Sequence, residues 1–115
     1  MQPDLSHIER QIKKDQVDIQ ATRRQAEVQR RYATQKKDEH NDTAAEYYQQ
    51  QADTLEQKAT DLEAEVDTLR DEKVKVEAEI TKTESELSQL ERDYTAKRLE
   101  LTDKLTRLRG SGAML

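Results

Sequence analysis

Between Ala45 and Leu108 the chain returns every seven positions to one row, Ala45, Ala52, Ala59, Val66, Lys73, Ile80, Leu87, Tyr94, Leu101 and Leu108. A second row, three residues on, holds Tyr48, Leu55, Leu62, Leu69, Val76, Thr83, Leu90, Lys97 and Lys104. On an α-helix, two rows separated alternately by three and four residues merge into one narrow apolar stripe, which is stable only when another helix covers it. The repeat therefore restricts the chain to long helices that need a cover. It names no reaction.

A compact globule is the alternative to test, and composition speaks against it. Of 115 residues 32% are hydrophobic and 39% charged, Phe, Trp and Cys are absent, and the four aromatic residues are all tyrosines. The bulky groups that fill a three-dimensional core are missing. Charge-rich, aromatic-poor chains are often disordered, but the regular apolar spacing, with only two glycines and one proline, favours helix over coil.

Pro3-Asp4 followed by Ser6-His7-Ile8-Glu9 has the spacing of a helix start, so the first helix is expected over residues 5–39. The polar stretch Asp38-Glu-His-Asn-Asp-Thr43, followed by the capping-box spacing Thr43-Ala-Ala-Glu46, marks a turn or stutter at 40–43 and a second helix over 43–109. Gly110-Ser-Gly112 then stops that helix and opens a tail, 110–115, in which Met114 and Leu115 form a small terminal anchor or fray. The whole of 1–115 reads as a single coiled-coil unit.

Heptad phase supports the break. The row Leu5, Ile12, Ile19, Ala26, Ala33 continues to His40, Tyr47 and Thr54, which belong to neither later row. A turn lets each helix keep its own phase. Folded back about a midpoint between residues 40 and 41, the chain pairs Leu5 with Val76, Ile12 with Leu69, Ile19 with Leu62, Ala26 with Leu55 and Ala33 with Tyr48. Charges agree: Arg23 approaches Glu56 or Glu63, and Arg30 approaches Glu56. A parallel homodimer instead brings Glu72 to Glu77, Glu79 to Glu84 and Glu86 to Glu91, which repel. The helix 1 seam has a weakness, because Asp15, Thr22, Gln29 and Lys36 lie between its apolar layers.

The expected fold is all-α: an elongated coiled coil, an unequal antiparallel two-helix hairpin that associates into a dimer, in part a four-helix bundle. One near-continuous helix in a parallel dimeric coiled coil is the alternative. Helix 1 covers little more than half of helix 2, leaving Ile80, Leu87, Leu90, Tyr94, Leu101, Leu105 and Leu108 as an oligomer or partner interface. Val17, Ala21, Val28 and Tyr32, on nearly the opposite side of helix 1, form a second candidate contact face. Lys73, Thr83, Lys97 and Lys104 interrupt the helix 2 seam, where polar residues fix register or helix number at some loss of stability.

Function follows from these faces. The chain is expected to be a noncatalytic structural or interaction protein, a coiled-coil spacer, adaptor or scaffold, with itself or another helical protein as partner. No enzyme, cofactor or metal site is expected: carboxylate pairs at helical spacing arise from composition, two helices enclose no pocket, His7 stands far from His40, and His40, beside Asp38, Glu39 and Asp42, reads as a solvated loop histidine rather than a weak divalent-ion site. The other reading uses Arg23, Arg24, Arg30, Arg31 and Lys37, a cationic stripe of seven-residue spacing that suits a filament or nucleic acid. The formal net charge of -5 and the lack of interleaved aromatics weigh against it. Residues 1–40 hold nine Lys/Arg against seven Asp/Glu, and residues 41–115 eleven against eighteen, so the two parts attract. The absence of cysteine and of any apolar run of spanning length makes an intracellular, cytoplasmic protein without a membrane segment the default expectation.

Overall fold

The computed structural model describes residues 4–110. They are helical apart from a cap at each end and one turn: α1 spans Leu5–Asp38 and α2 spans Asp42–Arg109, with no strand among the described residues. Pro3, Gly112 and the expected anchor Met114-Leu115 lie outside the described residues. The chain divides into two compact units, Met1–Val76 and Glu77–Leu115.

Unit 1 holds α1 and the first half of α2. Helix α1 starts where Asp4, in an extended conformation, accepts the backbone N–H of His7 on its Oδ1 at 2.8 Å, satisfying one of the free donors of the first turn. It ends in a Schellman arrangement: His40 N–H donates to the Lys37 carbonyl (3.0 Å) and Asn41 N–H to the Lys36 carbonyl (2.8 Å). His40 takes the left-handed position of this motif, with φ +62°, where glycine is usual. Asn41 then caps α2, its Oδ1 accepting from Ala44 N–H at 3.2 Å. The cap is thus Asn41 and not the Thr43 of the capping-box spacing, because the Schellman bonds already hold Asn41 beside the first free amides of α2.

Within unit 1 the two helices pack antiparallel. Arg23 pairs with Glu63, Arg30 Nη2 lies 2.9 Å from Glu56 Oε1, and Lys73 Nζ lies 3.8 Å from Glu9 Oε1. Low-numbered residues of α1 meet high-numbered residues of α2. The buried residues form two rows on each helix: Ile19, Ala26 and Ala33 with Ile8, Asp15 and Thr22 on α1, and Ala52, Ala59 and Val66 with Val76 on α2. Leu5, Ile12, Tyr48, Leu55, Leu62 and Leu69 are half-buried in the same rows. Alanine dominates near the turn, and its small side chain lets the backbones approach. Tyr48 closes that end, its ring centroid 5.4 Å from Tyr32 and 5.3 Å from Tyr47, at tilted and edge-on angles that suit aromatic quadrupoles.

Asp15 is the anomaly of the seam. It is 3% exposed; Oδ1 accepts from Gln11 Nε2 at 3.0 Å, and Oδ2 has no hydrogen-bond partner. Thr22, also buried, sits one heptad further on. The polar positions between the layers of α1 are therefore part of the contact, at the energetic cost that an unpaired buried oxygen carries.

Unit 2 is the remainder of α2. Among the described residues none of its side chains is buried. Thr81, Thr95, Thr102 and Thr106 each donate their hydroxyl to the carbonyl four residues back, so these β-branched residues satisfy their polar groups on their own helix. The helix closes at Gly110, whose φ of +80° places it in the left-handed region and whose N–H is shared between the Thr106 and Arg107 carbonyls.

Candidate helix-docking surface

Unit 2 carries the longest run of bare apolar side chains. Ile80, Leu87, Tyr94, Leu101 and Leu108 occupy one heptad row of α2 and Leu90 the other, with Leu105 beside them; all are exposed, from 40% at Ile80 to 75% at Leu108. Helical spacing puts them on one stripe, since residues three, four and seven apart share a face. An apolar stripe of this length on one helix is characteristic of an association site. Leu99 is exposed as well, but its heptad neighbours are Arg92 and Thr106, so it starts no row.

Carboxylates flank the first part of this stripe and cations the second. Glu77–Ala96 has six acidic side chains against two basic ones, and Lys97–Arg109 has five basic against two acidic. Among the described residues of the unit one ion pair forms, Lys97 Nζ to Glu100 Oε2 at 3.5 Å, with both side chains about two-thirds exposed. Exposed pairs of this kind contribute little. The flanking carboxylates Glu77, Glu79, Glu84, Glu86, Glu91 and Asp93 have no salt-bridge partner among the described residues.

The second candidate face is smaller. On α1, Val17 is 65% exposed, Val28 and Tyr32 are exposed to a lesser degree, and Ala21 is open. Tyr32 spends part of its surface on the aromatic cluster with Tyr48. That leaves three aliphatic side chains spread over Val17–Val28.

The cationic stripe is partly neutralised within unit 1. Arg23 and Arg30 are engaged by Glu63 and Glu56 of α2, and Arg31 Nη2 meets Glu27 Oε1 at 2.7 Å one turn back on α1. Arg24 and Lys37 have no carboxylate within ion-pair distance among the described residues. Their side chains are exposed.

At the turn, Glu39 accepts from Lys36 Nζ on Oε2 and from Gln35 Nε2 on Oε1, both at 3.2 Å. The Lys36 hydrogen bond first, then that of Gln35 and the Lys36 charge, hold its carboxyl below the ordinary carboxylate value. These bonds steady the last turn of α1. His40, beside them, points to no gathered ligand set: among the described residues no three His, Asp or Glu side chains are placed to hold a metal ion.

Among the described residues, open grooves run along the helices. One in unit 1 runs past Gln16, Ile19 and Arg23 to Glu63, Val66 and Arg70, and one in unit 2 runs along Ser88, Arg92, Thr95 and Leu99. Among the described residues no helix is long and apolar enough to cross a membrane. No protein family, characterised protein or solved structure matches the chain.

Proposed function

We propose that this chain is a noncatalytic coiled-coil protein, a spacer, adaptor or scaffold of the cell interior that acts through helix–helix association. On this reading unit 1 is an antiparallel coiled-coil hairpin, held by its own seam, and unit 2 is the surface that joins chains. The observation that carries it is the bare stripe from Ile80 to Leu108 on a helix whose earlier rows are covered. Leaving seven large apolar side chains in water forgoes roughly 25 cal/mol for each Å² that a partner helix would cover. A helix partner satisfies the stripe along its whole length.

The polyanion-binding reading is weaker on the same geometry. Three of its five cations, Arg23, Arg30 and Arg31, are already committed to carboxylates.

Sedimentation of the pure chain against a Leu87→Glu/Leu101→Glu variant tests the proposal. The native chain is expected to sediment at twice its monomer mass at micromolar concentration and the variant as a monomer with unit 1 still folded. A native monomer that melts cooperatively would remove the basis for an association role.

A further inference from the structure

We propose that the stripe of Glu77–Arg109 is covered by the same segment of a second copy running antiparallel, with Lys97 and Lys104 of each copy seated between carboxylates of the other. This rests on the reading of the chain as self-associating, and it adds the segment, the direction and the residues that set it.

Charge along the stripe carries the inference. The acidic stretch Glu77–Ala96 is followed by the basic stretch Lys97–Arg109. Laid parallel and in register, two copies put acid on acid and base on base: Glu79 meets Glu84 and Glu86 meets Glu91 on the flanks. In the seam itself Lys97 faces Lys97 and Lys104 faces Lys104, two like-charged layers in the contact. Reversing one copy lays each basic stretch over the first part of the other copy's acidic one. Such a pair is isologous and closes on itself, as a two-fold dimer must.

One register seats both seam lysines beside carboxylates. Placing Leu90 against Tyr94 of the second copy brings Leu87 against its Lys97, Ile80 against its Lys104 and Leu101 against its Thr83, and symmetry repeats each layer. Glu91 comes beside Arg98 of the second copy. Two like-charged flank pairs remain, Glu86 with Asp93 and Glu79 with Glu100, and each has a lysine set into it. Lys97 stands one turn from Asp93 on its own helix and reaches Glu86 across the seam. Lys104 stands in the same way to Glu100 and Glu79. The lysines that interrupt the apolar rows thereby neutralise the contacts that would otherwise oppose the pairing.

Unit 1 contains the same device. Lys73 occupies the other of the two heptad rows of α2, is only half-exposed, and extends its amine to Glu9 on the antiparallel helix at 3.8 Å. A lysine in this chain's seam is thus already served by a carboxylate flanking the opposing helix.

The chain has no cysteine, so single-cysteine variants report contacts directly. Thr83→Cys and Leu101→Cys, both on exposed positions of unit 2, are oxidised separately and mixed, with helicity checked by circular dichroism. The antiparallel register predicts a disulfide-linked dimer only in the mixture, since 83 and its copy lie about 27 Å apart along the axis. A Lys97→Glu/Lys104→Glu chain is expected to dimerise at least about tenfold more weakly, and mixing it with a Glu79→Lys/Glu86→Lys chain to restore association. Self-linking of each cysteine variant alone, with a dimer mass, overturns the antiparallel pairing and leaves self-association standing. Undiminished dimerisation of the Lys97→Glu/Lys104→Glu chain overturns the role of the lysines. A monomer mass with no linked product in any mixture overturns both this pairing and the association role.

Discussion

The two halves of α2 share a period and differ in the residues of one row and in what covers them. From Ala45 to Val76 the seam rows are rich in alanine, with Ala52 and Ala59 fully buried, and the flanking Glu56 and Glu63 meet Arg30 and Arg23 of α1. From Ile80 to Leu108 the apolar members of the rows are isoleucine, leucine and tyrosine, all exposed, beside Thr83, Lys97 and Lys104, and the flanking carboxylates are exposed too. Small residues in the first half suit a partner that arrives at once, by way of a three-residue turn, and packs closely. Large residues in the second half offer more apolar area, which on the proposed reading repays the translational freedom lost by a partner from solution. A heptad repeat alone calls for a cover, and α1 supplies it for the first half only.

Truncation at matched positions gives the sharpest way to break this contrast. Ile8 is fully buried in unit 1, and Ile8→Ala is expected to cost about 2–4 kcal/mol in urea unfolding at any protein concentration. Leu101 is half-exposed in unit 2, and Leu101→Ala is expected to stay within about 0.5 kcal/mol of the native chain in dilute solution. At high concentration, where the proposed association adds to stability by mass action, the same variant is expected to fall behind. An equal loss at all concentrations for both variants would mean that unit 2 is covered by its own chain, and the contrast would fail.

Asp15 tests whether the first half is as well satisfied as its burial implies. Its Oδ2 is enclosed without a partner, while Gln11, which serves Oδ1, is half-buried and can turn to water. Replacing both the carboxylate and its desolvation by an apolar side chain that suits the row, in Asp15→Leu, is expected to stabilise unit 1 by about 1–2 kcal/mol. Thermal unfolding at neutral pH reads this directly. A loss of stability would assign Asp15 a seam role that the apolar layers around it cannot replace.

Asp15 also shows where the amino-acid sequence stops being legible. That the described chain is helical follows from period and composition alone, and the row Leu5, Ile12, Ile19, Ala26, Ala33 lies in the contact because it is the one row of α1 that is apolar at every member. Ile8 belongs to no apolar row, yet it is among the most buried side chains. Its place follows from standing three residues after Leu5 and four before Ile12, a position whose following members, Asp15, Thr22, Gln29 and Lys36, are polar and hide the pattern. Tyr32 was legible as a residue of the outer side of α1; the reach of its ring to Tyr48 is set by side-chain length, which spacing does not encode. At the candidate surface, the exposure of Ile80–Leu108 follows from the lengths of the two helices. The direction of a partner does not, since any helix of matching period satisfies an apolar stripe, and only the charges beside it discriminate.

The turn is the smallest lever on the contrast and the most selective. It is what returns α1 over the first half of α2, and its Schellman bonds require a left-handed residue at position 40, where the chain has histidine with φ +62°. An L-residue there is strained by about 1–2 kcal/mol, less for the polar residues that tolerate this region. Glycine removes the strain but loses more backbone freedom on folding. His40→Gly is accordingly expected to stabilise unit 1 by about 0.5–1 kcal/mol. Amide exchange measured along the chain separates the outcomes: protection should rise at Ile19, Ala26, Ala59 and Val66 and stay unchanged at Leu87 through Leu108. A rise that spreads equally into Leu87–Leu108 would show the two halves of α2 opening as one cooperative unit, so that the covered half shelters the bare one through the continuous helix.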